Sequence, residues 1–193
     1  VAEAEVHARF AVTTKPESAG FQNHLGVLLT RLGRYDDARQ ALEAALDLGG
    51  DTTTVHKNLG LLLADQKLFN EAVEQFRLAL AQRPNEAEIH GLLGETLHRL
   101  GRLEEAEQEL TQARSLNPRH AEILVALGSL LTQTGRQPEA EQAYRDALEA
   151  RPNHPRALYH FALRGTGGED GPAAIDIATL DASRARASLN GTD

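Results

Sequence analysis

Eight histidines and a dense set of glutamates are the residues that could carry chemistry in this 193-residue chain. His56 and His90 stand 34 residues apart, and His98 follows His90 on the same expected helix. Imidazoles on neighbouring helices make a metal site only with a carboxylate or further histidine at ligand spacing. None stands there, and the two histidines read instead as bulky filler of a packing column. His120 and His154 precede expected helix starts and read as boundary residues. Glu104, Glu105, Glu107 and Glu109 invite an acid/base reading, but paired working carboxylates need a cleft to hold substrate. They read as a solvated helix face. The glycine-rich RGTGGEDG at Arg164–Gly171 lacks the Lys-Ser/Thr ending of a phosphate loop and follows a helix, so it reads as a linker. Asn190–Thr192 spells a glycosylation acceptor, with nothing beside it to argue for a secretory route. No catalytic, cofactor-binding or metal-binding residue is assigned, and the chain as it stands reads as a non-enzyme.

Composition narrows the partners. A net charge of −8 argues against nucleic-acid backbones and anionic membranes. With no cysteine, disulfides, zinc–thiolate sites and thiol nucleophiles are excluded. No apolar run is long enough to insert in a membrane, and no signal-peptide pattern is present. These features fix no compartment; the cytoplasm is the expectation.

What must position any site is a repeat. LGRYDDA at Leu32–Ala38, QKLFNEA at Gln66–Ala72, LGRLEEA at Leu100–Ala106 and TGRQPEA at Thr134–Ala140 follow one another at intervals of 34 residues. Gly26, Gly60, Gly94 and Gly128 share one column, each after a leucine. Ala38, Ala72, Ala106 and Ala140 share a second, and Ala45, Ala79, Ala113 and Ala147 a third. Between the alanines stands a large residue: Leu42, Phe76, Leu110 or Tyr144. Pro84, Pro118 and Pro152 close three units, with Gly50 in that column of the first.

Phe21, Leu25, Leu28, Leu29 and Leu32 fall on one helical face, and Ala38, Leu42, Ala45 and Leu46 on one face of a second helix. The GRxxE-type segment between them suits a glycine C-cap followed by an acidic first turn. Each unit is therefore a helical hairpin, and its small columns let the two helices approach closely. A lone hairpin leaves apolar surface on both sides, so it must stack on neighbours.

These columns resemble the tetratricopeptide repeat. The likeness covers four repeats, 19–52, 53–86, 87–120 and 121–154, and implies an all-α, right-handed superhelical solenoid of antiparallel helix pairs. Departures are small: Gln22, His56, His90 and Leu124 fill the first aromatic column, Leu29, Leu63, Leu97 and Leu131 the tyrosine column, and Lys67 replaces a turn glycine. At the ends, residues 1–18 read as the second helix of a truncated preceding repeat. Residues 155–164 read as the first helix of a partial fifth repeat or cap, and 165–193 as a linker or tail with room for one short helix. A half-repeat at the start reads as a piece of something longer.

In this family the first helix of each hairpin lines a concave groove that holds a peptide or partner helix. The resemblance thus implies partner-binding positions at Asn23, Val27 and Arg31, at Lys57, Asn58 and Leu61, at Glu88, Leu92, Glu95 and Arg99, at Glu122, Val125 and Ser129, and at Tyr159. The carboxylate clamp of chaperone-binding members is absent: aligned from the first repeat only Asn58 matches it, and from the second only Lys57. The asparagine ladder of O-GlcNAc transferase arrays is reduced to one rung, Asn58. An apolar floor with mixed charge remains, suited to an amphipathic helix or to an extended segment with apolar anchors. Part of that floor, Leu61 and Leu92 above all, is equally readable as packing between repeats.

The function implied is a scaffold or adaptor that binds a protein or peptide in the groove, with no cofactor. Another copy of the chain, or its own tail, is an alternative occupant. A second reading makes the array the substrate-recruiting region of a larger enzyme. Ala157–Leu189 resembles the region that joins such repeats to bacterial sulfotransferase-like domains, and a glycosyltransferase-like protein is the other form of that reading.

Overall fold

Each repeat copy begins with a helix that stops in the same way. In a computed structural model, which describes residues 17–165 with side chains to residue 161, α1 spans Ala19–Arg31. Its last turn closes by Gly33 N–H donating to the Thr30 carbonyl (2.9 Å) and Arg34 N–H to the Leu29 carbonyl (2.9 Å). This paired arrangement needs a left-handed residue at its centre, and Gly33 supplies it with φ 71°. Gly101 and Gly135 repeat it at φ 76° and 78°. Lys67 does so with a side chain, at φ 64°, with the same two bonds to Ala64 and Leu63.

The residue after the turn glycine has a second use. Arg102 donates from Nε to Glu105 Oε1 and from Nη2 to Glu105 Oε2, both at 2.7 Å. Arg136 reaches Glu139 at 2.7 Å, and Arg34 pairs with Asp37. Each arginine caps the turn and holds a first-turn acid of the following helix, where the helix dipole also favours negative charge. The second hairpin carries Leu68 at the arginine position.

The described residues contain α2 (Tyr35–Asp47), α3 (Thr52–Asp65), α4 (Phe69–Gln82), α5 (Ala87–Arg99), α6 (Leu103–Leu116), α7 (Ala121–Gln133), α8 (Gln137–Ala150) and α9 (Pro155–Gly165), with no strand among them. The fold is all-α. Residues fall into two compact units, Val1–Leu116 and Asn117–Asp193. Within the first, α1/α2, α3/α4 and α5/α6 are antiparallel hairpins; in the second, α7 pairs with α8 and α9 packs on α8. The expected helix before residue 19 and the tail after 165 lie outside the described residues.

Core packing follows the columns. Leu42, Phe76 and Leu110 are fully buried and Tyr144 nearly so, and the alanines on either side of each have no exposed surface. The glycine column faces them: a Cβ on Gly26 or Gly94 would come within 2.5 or 2.6 Å of Leu42 or Leu110 Cγ. The absent side chain is what lets the paired helices close at this point.

Candidate functional site

In the first unit the leading helices α1, α3 and α5 are tied to one another by polar side chains at the expected positions. Asn58 Nδ2 on α3 donates to Asn23 Oδ1 on α1 at 2.8 Å. Lys57 Nζ donates to Glu88 Oε2 on α5 at 3.1 Å. Val27, Leu61 and Leu92 are half-buried, so they keep some surface while packing between helices. Arg31 is exposed and forms no ion pair with any described residue. Arg99 pairs with Glu95 at 3.3 Å and places its guanidinium 5.9 Å from the centre of the Phe69 ring on α4. Asn58 is 9% exposed, so it belongs as much to packing between the hairpins as to the wall.

The second unit places its members differently. Glu122 is exposed, Ser129 half-buried and Tyr159 64% exposed. Val125 departs from the expectation of a groove floor: it is 1% exposed. α7 is the most apolar of the helices, and Ile123, Leu124, Val125, Ala126 and Leu127 are all buried in succession. With its neighbours on both sides buried as well, Val125 has no surface to offer. Glu122 is held by Arg151 at the far end of α8 and by His120 at 3.3 Å.

The histidine column proves to be a polar tie rather than inert filler. His56 Nδ1 lies 2.9 Å from Gln75 Oε1. One repeat later, His90 Nδ1 lies 2.6 Å from Glu109 Oε2, and its Nε2 lies 2.8 Å from the Pro84 carbonyl. In each case the first helix of a hairpin is bonded to its second across 19 residues. The signal was present in sequence as His56/Gln75 and His90/Glu109 in matching columns. Among the described residues no group of three or more His, Cys, Asp or Glu side chains is placed to hold a metal ion.

Two further ion pairs link loops and second helices: Arg83 Nη2 to Asp51 Oδ1 at 3.2 Å, and Arg77 Nη2 to Glu105 Oε2 at 3.1 Å. Thr54 also donates to Asp51 at 2.7 Å. That bond, with the Arg83 charge, holds the Asp51 carboxyl below the ordinary aspartate range.

The family model of the cilia and flagella-associated protein 70 C-terminal domain, a tetratricopeptide-repeat domain, matches residues 2–168. The chain belongs to this tetratricopeptide-repeat family. Solved structures with the same fold include Pseudomonas aeruginosa PilF, 23% identical over 90% of this chain and 89% of that one, with a TM-score of 0.68. YrrB, described as a TPR protein with an unusual peptide-binding site, is 21% identical over 82% of this chain and 81% of that one, with a TM-score of 0.63. The first TPR of Spaghetti (RPAP3), bound to an HSP90 peptide, is 21% identical over 56% of this chain and 86% of that one, with a TM-score of 0.55. No curated protein matches the chain. Tetratricopeptide-repeat families are typically non-enzymatic scaffolds for protein–protein interaction. The reading as the recruiting region of a larger enzyme draws no support from these relatives. No helix among the described residues is long and apolar enough to cross a membrane.

Proposed function

We propose that the chain is an adaptor whose first unit holds a protein segment along α1, α3 and α5. The observation that carries this reading is the composition of that wall. Half-buried Val27, Leu61 and Leu92 alternate with the Asn23–Asn58 and Lys57–Glu88 pairs, while Arg31, Glu95 and Arg99 stand at the edge. Apolar patches of modest size between oriented polar groups are what a peptide segment needs for affinity and register. Similar structures that bind peptides support it. In the second unit, Glu122, Ser129 and Tyr159 are the proposed contact residues, and Val125 is withdrawn from that set on account of its burial.

A library of random dodecapeptides displayed on phage, panned against the full chain, tests the wall. Selected peptides are expected to lose at least 10-fold in affinity for a Lys57→Glu/Arg99→Glu variant. Arg99 sits in an exposed pair and Lys57 in a partly buried one beside Glu88, so the thermal melt of the double variant is measured alongside and the comparison is made at a temperature where both proteins are folded. Peptides bound equally by both proteins would place recognition elsewhere.

A further inference from the structure

Leu158 on α9 is 40% exposed, whereas Leu124, in the same column of α7, is 1% exposed. In the earlier hairpins this column is the one that meets the second helix. His56 meets Gln75 and His90 meets Glu109, each 19 residues further on. At the same spacing from Leu124 stands Ala143, itself 3% exposed. α9 holds to α8 through Ala157, which has no exposed surface, and through His160, whose ring stacks on Tyr144 with centroids 4.0 Å apart. It is therefore a leading helix whose second-helix face is uncovered among the described residues. A hairpin repeat depends on a neighbour to bury such a face.

We propose that residues 172–180 of the same chain cover it, as the second helix of a fifth hairpin. The 34-residue columns support this at three places. Ile177 stands 19 residues after Leu158, so the pair that is polar at His56/Gln75 and His90/Glu109 becomes apolar on both sides. Ala162 stands in the glycine column and Ala178 in the column of Leu42, Phe76, Leu110 and Tyr144. In the four earlier hairpins a Cβ on the glycine would lie only 2.5 to 2.9 Å from the large residue. Alanine at 162 alone would overpack that space, and alanine at 178 alone would leave it partly empty; together they conserve its volume. Pro172 stands in the column of Pro138, which lies in the first turn of α8.

The same columns limit the extent of the contact. Asp181 falls where Ala45, Ala79, Ala113 and Ala147 have no exposed surface, and an unpaired carboxylate is strongly disfavoured there. The seated segment therefore ends at Leu180. Its connection also differs from the earlier turns: Glu169 takes the turn-glycine column, with Gly167, Gly168 and Gly171 around it. Residues 166–171 form a longer link than 32–34 does between α1 and α2, and its glycines allow the chain to reverse. A second copy or an unlike helix would have to reach this face from solution. The segment is tethered a few residues away, so its effective concentration at the face favours it over either.

The chain contains no cysteine, so two introduced thiols report on this contact alone. In the full chain, Leu158→Cys/Ile177→Cys treated with a short bismaleimide is expected to cross-link within one molecule. Leu158→Cys/Thr179→Cys is the comparison, because Thr179 stands in the exposed column of Glu43, Arg77, Thr111 and Arg145. The first pair should react about 5-fold faster than the second. Adding Ala178→Leu should slow the first pair by a similar factor through overpacking against residue 162, and Ala162→Gly in the same chain should restore it. Circular-dichroism melts ensure that all rates compare folded chains. Equal rates for the two pairs, or a rate that ignores Ala178→Leu, overturn the proposal. Cross-links between molecules that grow with protein concentration overturn it in favour of a second copy. No cross-link from either pair, with every thiol reactive toward a monofunctional maleimide, overturns it outright.

Discussion

Gly60 and Phe76 occupy one space between them: a Cβ built on Gly60 would lie 2.5 Å from Phe76 Cε1 and 2.8 Å from its Cζ. The ring is fully buried and has nowhere to retreat. Gly60→Ala is therefore expected to destabilise the chain by about 1–3 kcal/mol net, because overpacking in a closed core exceeds the gain from better helix propensity. At Gly128 the nearest atom of Tyr144 is 2.9 Å away, and the Tyr144 side chain keeps a little exposure. Gly128→Ala should cost less than Gly60→Ala. Urea unfolding of the two variants, side by side, checks the order.

Lys67 holds a left-handed backbone at φ 64°, where three sister turns use glycine. A side chain in this region carries a penalty of about 1–2 kcal/mol, of which glycine's greater freedom in the unfolded chain returns about 0.4–1 kcal/mol. Lys67→Gly is expected to stabilise by about 1 kcal/mol. Lys67→Ala, which keeps a Cβ, should not stabilise by this route. A rise in melting temperature for the alanine variant equal to that of glycine would show that the lysine side chain, rather than backbone strain, sets the cost.

The hairpins were legible because their information is backbone-scale. Leu-Gly before each turn, alanine on either side of one large residue, and proline after three of the four second helices all state how closely two helices approach and where they stop. Even Lys67 was visible as a departure in a glycine column. Side-chain partnerships were not legible to the same degree. His90 reads from its column as packing filler until Glu109 is seen 2.6 Å away, because rotamers decide which polar atoms meet. Val125 reads as a wall residue from its column alone. Its burial depends on how apolar all of α7 is, a property of the helix as a whole.

The His90–Glu109 tie makes a prediction about coupling. The fourth repeat carries Leu124 and Ala143 in these two columns, so the hairpin tolerates an apolar solution. Removing Glu109 leaves His90 Nδ1 without its partner, and removing His90 leaves the half-buried Glu109 carboxylate unpaired; removing both leaves neither. His90→Leu and Glu109→Ala should each destabilise, and the double variant should lose less than their sum by about 0.5–3 kcal/mol. A double-mutant cycle in urea measures this. Strict additivity would mean that the two side chains do not act together.

His154 should make the second unit sensitive to mild acid. Its residue surface is 6% exposed and its Nδ1 is buried without a partner. Burial pushes its pKa below the ordinary histidine range, the Glu122 carboxylate pulls upward, and the Arg151 and Arg156 guanidiniums push it down again. The sign follows from which state binds the proton. Above the unfolded-state value both states are neutral and no penalty exists. As pH falls through that value the unfolded chain takes up a proton that the folded chain resists, so stability drops until the folded pKa is reached. Folded carboxylates with lowered values, Asp51, Glu105 and Glu122, lose their contribution as pH falls from the ordinary carboxylate range towards their lower folded values, and that loss is shared by the parent and the variant. Equilibrium unfolding near pH 7.5 and near pH 5 therefore isolates the histidine effect. The parent should lose more stability between these points than His154→Asn, which keeps a polar residue at the start of α9 but cannot titrate. The remaining histidines are common to both proteins and cancel in the comparison. An equal loss in the two would mean that the buried ring accepts its proton as readily folded as unfolded.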